Sequence, residues 1–189
     1  GVPTPASLVL GRELDAAAIE TALGPPPWVV KAPEGTKGDA VFLVHDAAEL
    51  SALPRADAVP YFVQRFVPEA RGADVRVFVI AGEARGAMRR QAADGDFRSN
   101  LAQGGRAQAA SLPPELAHIA ATATAVHGLI VAGVAFITGL ASIAAVDVLE
   151  SDAGPLVIEV NGSPGFAGIE DATGLDLAGE VVQHLETLG

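Results

Sequence analysis

The hydrophobic pattern along the chain switches between two periods, and the switches mark out short helices and strands. Leu14, Ala18, Ile19 and Leu23 recur at helical spacing, which predicts a helix from Arg12 to Leu23, ended by the GPPP at Gly24 to Pro27. PWVVK predicts a strand entering the glycine-rich stretch APEGTKGD, and VFLV a second strand. DAAELSAL opens a helix with Asp46 as its N-cap. YFVQRFV, Tyr61 to Val67, predicts a third strand, closed by Pro68. ADVRVFVIAGEARGAMRRQ reads as a hairpin turning near Gly82, with Asp74, Arg76 and Phe78 on one face and Val75, Val77 and Val79 on the other. GDFRSNLAQGGRAQ reads as a polar loop. PPELAHIAATATAVHGL reads as a helix with Leu116, Ile119, Ala120 and Ala123 on one side. VDVLESDAGPLVIEVN is a second hairpin turning through Ser151 to Pro155, and DLAGEVVQHLETL a closing helix. Helices mixed with hairpins point to an α+β fold rather than a doubly wound sheet.

The second hairpin carries an unusual polar pair. Alternation sends Leu156, Ile158 and Val160 to one face and Val157, Glu159 and Asn161 to the other. A turn centred on Ala153 sets Asp147 opposite Glu159. Directly opposed carboxylates repel each other unless a cation stands between them. With Asn161 they make an oxygen-only surface that suits Mg²⁺ or Ca²⁺. The other reading is two solvated acids in a slipped register.

Composition narrows the classes. The chain has 189 residues, half of them hydrophobic, enough for one domain or two small ones. It has no cysteine, so disulfide and thiolate chemistry are excluded. The net charge is −11 and Lys31 and Lys37 are its lysines, which argues against a nucleic-acid surface. Gly128 to Val146 is uncharged and just long enough to cross a membrane. Gly128, Gly133 and Gly139 interrupt it and no aromatic or basic belt brackets it, so a buried helix followed by a buried strand is expected instead. The chain begins at Gly1 with no charged leader, so a fragment start without a signal peptide is expected.

Two further clusters bear on chemistry. Lys31 ends an apolar strand just before GTKG, Gly35 to Gly38; glycines let backbone N–H groups approach phosphates, although a plain turn between strands has the same composition. Arg89 and Arg90 precede FRSN, Phe97 to Asn100, and such arginines suit bidentate contact with phosphate or carboxylate, or else balance surface acids. Phosphate loop, arginine group and metal face together point to a nucleoside triphosphate.

The stretches EGTKG, VQRFVPEARGADVR, RRQAADGDFRSN and IEVNGSPGFAGIE resemble the ATP-grasp ligases, and most closely the RimK-type glutamate ligases. The resemblance runs over essentially the whole chain, without the family's usual amino-terminal domain. It implies an ATP-grasp fold of two α+β subdomains with antiparallel sheets gripping ATP, the small one over residues 1–62 and the large one over 63–189. Lys31 would hold the α- and β-phosphates, and Gly35, Thr36, Lys37 and Gly38 would form the flap. Gln64, Arg65, Phe66 and Val67 would meet adenine, and Asp74 the ribose. Arg76, Arg89, Arg98 and Asn100 would sit near the transferred phosphate and the acceptor carboxylate. Asp147, Glu159 and Asn161 would hold Mg²⁺, with Mn²⁺ as a substitute. The implied reaction is amide formation through an acyl phosphate, with ATP, an amino acid such as glutamate and a carboxylate acceptor (peptide, protein tail or small molecule) as partners. A cytoplasmic setting, no nucleic acid and no membrane go with it, and a homo-oligomer is compatible. A nucleotide-binding module without turnover is the alternative. Two departures from the family pattern stand out: Arg65 replaces an acid, and AFITGLASIAAV is inserted between VAGV and Asp147. His45, His118, His127 and His184 are given no catalytic role.

Overall fold

The computed structural model describes residues 1–11, 14–32, 40–54, 60–94, 96–101, 104–131 and 143–187. They form two compact units, Thr4–Pro68 on one hand, Gly1–Pro3 with Glu69–Gly189 on the other. The expected division between residues 62 and 63 falls inside a strand; the units part after Pro68 instead.

The smaller unit is a four-stranded antiparallel sheet with two helices. Its elements are β1 (Ser7–Leu10), α1 (Ala16–Leu23), β2 (Trp28–Lys31), β3 (Val41–Val44), α2 (Ala47–Ala52) and β4 (Tyr61–Arg65), with sheet order β1-β4-β2-β3. Helix α1 begins at Ala16, later than the apolar spacing predicts, because the Asp15 carboxylate caps it through the N–H groups of Ala17 and Ala18. The expected first turn at residues 12–13 lies outside the described residues. Asp46 caps α2 as expected, accepting from Ala48 and Glu49. Strand β1 was not legible in the hydrophobic pattern.

Pairing sorts the residues of this sheet onto two faces. Trp28, Val30, Val44, Tyr61 and Val63 pack with Ile19, Leu23 and Leu50 into a helix-covered core. The ladder pairs Lys31 with Phe62 and Val29 with Gln64, and Gln64 in turn with Ser7. Paired residues project to the same side, so Lys31, Phe62, Gln64 and Val29 share the face away from that core.

The larger unit is built on a five-stranded antiparallel sheet, order β7-β6-β5-β8-β9. Its strands are β5 (Ala73–Ile80), β6 (Glu83–Gln91), β7 (Arg106–Ala109), β8 (Ile143–Ser151) and β9 (Gly154–Asn161); its helices are α3 (Pro114–Val131), α4 (Ala167–Thr173) and α5 (Leu177–Thr187). The β5–β6 hairpin turns at Ala81 and Gly82, both at positive φ (54° and 78°), the twist that tight hairpins favour. One face of the sheet packs Val75, Val77, Val79, Ala87, Val146, Val148 and Val157 against Leu116, Ala120 and Ala123 of α3. The other face is dry at one end only, where Phe78, Ile80, Met88 and Ala145 meet Ile169 and Leu177. The edge strand β7 corrects the reading of that stretch as loop. RAQA carries no strand-forming side chain, and the strand forms by pairing Arg106–Ala109 onto β6.

Two bulges set the register. Phe78 pairs with Gly86 but Val79 with Ala84, so Arg85 is an extra residue on β6. Asp147 pairs with Glu159 but Val148 with Val157, so Ile158 is an extra residue on β9. The second bulge corrects the expected alternation. Val157 joins the α3-facing core, not the face of Glu159, because one inserted residue reverses the side on which earlier residues project.

The uncharged stretch is divided as expected where it is described. Its start ends α3, and residues 143–146 open β8, with Ala144, Ala145 and Val146 buried. Residues 132–142, which include most of the inserted segment, lie outside the described residues. Among the described residues, no helix is long and apolar enough to cross a membrane.

Candidate active site

The far end of the second sheet face is polar, and its residues lie in rows across the strands. One row pairs Asp74 with Arg90. The next runs Met88, Arg76, Asp147, Glu159. A third pairs Ala145 with Asn161. Asp147 and Glu159 are therefore opposed, as the hairpin pattern predicts, but by a different route. The turn closes on the Ser151–Gly154 pair, one residue tighter than a turn centred on Ala153, and the Ile158 bulge restores the pairing.

The repulsion that pairing implies is relieved by arginine. Arg76 grips Asp147 with two bonds, Nε to Oδ1 and Nη2 to Oδ2, both 2.7 Å. Arg90 Nη2 donates to the same Oδ2 at 2.8 Å. Arg90 also forks onto Asp74, through Nε to Oδ1 at 2.7 Å and Nη2 to Oδ2. Asp74, Arg90 and Asp147 are each only 3% exposed. Burial opposes the Arg90 charge, but the hydrogen bonds to Asp74 and the charge of Asp147 outweigh it and raise its pKa. Two acids and two arginines thus close a neutral buried network, so the facing carboxylates do not by themselves require a metal. This corrects the argument from repulsion.

The chemistry of the donor set still fits a hard divalent cation. Asp147 Oδ1 takes one hydrogen bond, from Arg76, and keeps a second lone pair. Glu159 is exposed directly across the ladder. Asn161 Oδ1 accepts from the Ser163 N–H at 2.9 Å, which fixes the side chain in the turn after β9. Three oxygens of this kind match Mg²⁺ or Mn²⁺.

The other expected residues divide clearly. Arg89 lies on the opposite face of the sheet, with Ala87, and pairs with Glu150. It lines a cleft of about 240 Å³ with Gln91, Arg106 and Gln108. Its expected place beside Arg76 is taken by Arg90, which sequence reasoning saw in the arginine group but did not select. Counting from the hairpin turn without the Arg85 bulge sets Arg89 opposite Asp74; the bulge substitutes Arg90. Asp74, expected to meet ribose, has both oxygens on Arg90.

Arg98 and Asn100 stand on the loop after β6. Arg98 is paired with Asp96, Nη2 to Oδ2 at 2.9 Å, and its guanidinium lies 5.9 Å from the Phe97 ring centre. The Arg98 hydrogen bonds hold the Asp96 carboxyl below the usual carboxylate range. The loop is tied down by backbone: Ala92 N–H donates to Gly72 O at 2.8 Å, and Gly105 N–H to Asn100 O at 3.4 Å. A Cβ on Gly105 would lie 2.9 Å from Ser99 O and 3.0 Å from Asn100 O and Gln91 O. Gly105→Ala is therefore expected to shift Ser99 and Asn100 and to lower stability by about 1–3 kcal/mol in a denaturant melt. An unchanged midpoint would show that the loop yields freely.

In the smaller unit, Lys31 Nζ lies 5.5 Å from the centre of the Phe62 ring. Gln64 is 5% exposed and donates to Ser7 Oγ at 3.2 Å. Arg65 falls on the other side of β4, opposite Trp28, and its N–H is taken by Ala6 O at 2.9 Å. Phe66 and Val67 follow the last ladder pair, and Val67 is buried. Gly35, Thr36, Lys37 and Gly38, the expected flap, lie outside the described residues.

The acid-and-arginine sheet face of the larger unit has the charges to serve a phosphorylated ligand. Comparison with known proteins then decides the family: the RimK-like ATP-grasp domain model matches residues 1–185. The chain belongs to the RimK-like ATP-grasp family. A probable alpha-L-glutamate ligase of Xanthomonas campestris pv. campestris (strain B100) is 41% identical over 189 residues, 98% of this chain and 61% of the relative's own length. Among solved structures, D-cycloserine synthetase DcsG superposes with a TM-score of 0.76 at 21% identity, covering 100% of this chain and 66% of that one. The ATP-grasp ligase PsnB, in complex with a phosphomimetic variant of minimal precursor, Mg and ADP, gives 0.67 at 22%, covering 99% and 54%. These structural likenesses establish the ATP-grasp fold of this RimK-like chain, α+β with antiparallel sheets.

Proposed function

We propose that this RimK-like chain carries the ATP-binding and chemical centre of an ATP-dependent carboxylate–amine ligase, ADP-forming and working in the cytoplasm. The observation that carries this is the row Arg76–Asp147–Glu159, which sets an arginine-balanced acid and an exposed acid side by side on one sheet face. Family membership supports the reading, and the name of the Xanthomonas relative favours glutamate as the amino acid. The nucleotide and Mg²⁺ are supported by the ADP and Mg in the PsnB complex.

In this proposal Lys31 and the arginines neutralise and orient phosphate oxygens. Asp147, Glu159 and Asn161 hold the Mg²⁺, whose bound charge offsets that of the polyphosphate. ATP gives its terminal phosphoryl group to the acceptor carboxylate, forming an acyl phosphate and ADP. The amine of the amino acid attacks the acyl carbon, the C–O bond to phosphate breaks, and inorganic phosphate leaves with its electron pair. No side-chain nucleophile is needed.

The test is phosphate release from ATP with Mg²⁺, screened over amino acids and over peptide and small-molecule carboxylates, with ADP identified as the nucleotide product. Turnover to AMP would reject the acyl-phosphate route. A second reading, nucleotide binding without turnover, is favoured by the grip of two guanidiniums on Asp147. ATP-dependent thermal stabilisation with no phosphate release under any pairing selects it. Lys31→Ala is expected to weaken ATP binding by about 1.5–3 kcal/mol, the range for a charge-assisted hydrogen bond, measured by calorimetry. Unaltered affinity would remove Lys31 from the nucleotide site.

A further inference from the structure

We infer that Arg90 is a positioning residue for the metal-binding carboxylates, a role that rests on the ligase reading above. Arg90 is the one side chain among the described residues that touches both Asp74 and Asp147. It reaches them from β6 across β5, whereas Asp74 and Arg76 stand on β5 and Asp147 on β8. Three strands are therefore tied through one guanidinium. Its Nη2 donates to an oxygen of each acid, and its Nε to the remaining oxygen of Asp74.

The consequence is directional. Asp147 Oδ2 receives Nη2 of Arg76 and Nη2 of Arg90, which leaves Oδ1 as the less occupied oxygen. A carboxylate held at one oxygen by two guanidiniums cannot rotate without breaking bonds in a site that is 3% exposed. Arg90 thereby holds Asp147 in one orientation across from Glu159. It also cancels the charge of Asp74, so that acid does not compete for the cation. Arg76 has a 15% exposed side chain, and Asp147 is its bonding partner among the acids. It can turn toward a phosphate only if Arg90 continues to hold Asp147. The tie by Arg90 is thus what frees Arg76 for substrate.

The experiment compares ADP affinity with and without Mg²⁺ by calorimetry, in the full chain. The readout is the ratio of the two dissociation constants. A residue that only stabilises the fold, or one that touches ribose, changes both constants together and leaves the ratio alone. In wild type the ratio is expected to be tenfold or more. Arg90→Lys keeps the charge but loses the fork, and the ratio is expected to fall at least fivefold. Asp74→Asn, which keeps the shape and removes the other end of the tie, is expected to lower it in the same direction, and it decides the matter if Arg90→Lys does not fold. A folded variant with a wild-type ratio overturns the positioning role. A wild-type ratio of one rejects the metal reading of this face itself, which is a separate outcome.

Discussion

Glu159→Gln is expected to cut ligase turnover by roughly 10²- to 10³-fold, the several kcal/mol that a bound metal supplies, with little change in stability. Glu159 is exposed, whereas Asp147, directly opposite, is buried in its arginine bonds. Neutralising Glu159 therefore takes charge from the proposed metal site at an exposed position. Exposed substitutions of this kind move stability by about 0.5 kcal/mol or less. Phosphate release under saturating Mg²⁺ and a thermal melt together check it. Full turnover in the folded variant would show that the cation uses other ligands.

Asp147→Ala is expected to behave in the opposite way and to fail first as a folded protein. The substitution takes both of Arg76's bonds to Asp147 and one of the bonds of the enclosed Arg90, which keeps its fork on Asp74 but loses the second acid that balances the two guanidiniums. Removing one partner of a buried ion pair costs about 3–5 kcal/mol, because an uncompensated charge is left inside. The larger unit should lose about that much in denaturant unfolding, while the smaller unit, a separate contact cluster, is followed by its own Trp28 fluorescence. Asp147→Asn, which retains an acceptor, should lose less. If Asp147→Ala melts like wild type, the network is not a buried one in solution.

The contrast between these two acids was half legible beforehand. Strand alternation and the two-hairpin pattern placed Asp147 across from Glu159, and the glycine at 82 placed the first turn. Nothing local distinguishes Arg89 from Arg90. They are adjacent, identical and on one strand, so the choice depends on whether β6 carries an extra residue, and Arg85 announces no bulge in its side chain. Strand β7 was hidden for a related reason: RAQA is a strand by virtue of its neighbour, not its composition.

By itself the sequence determined the local terms. Asp15 and Asp46 supply caps because their carboxylates reach free N–H groups at short range, and the valines of β5 commit one face of the sheet to a core. It also placed Asp74 and Arg76 on the same side, since alternation needs only one strand. The tertiary structure decided how strands align, and with that which charges meet. A one-residue offset in a ladder exchanges every partner and reverses every face, so the bulges at Arg85 and Ile158 select Arg90 for Asp74 and Glu159 for Asp147. Whether two facing acids need a cation was likewise a tertiary question. The answer came from guanidiniums on two other strands, brought within 2.8 Å of Asp147 by pairings among residues far apart in the chain.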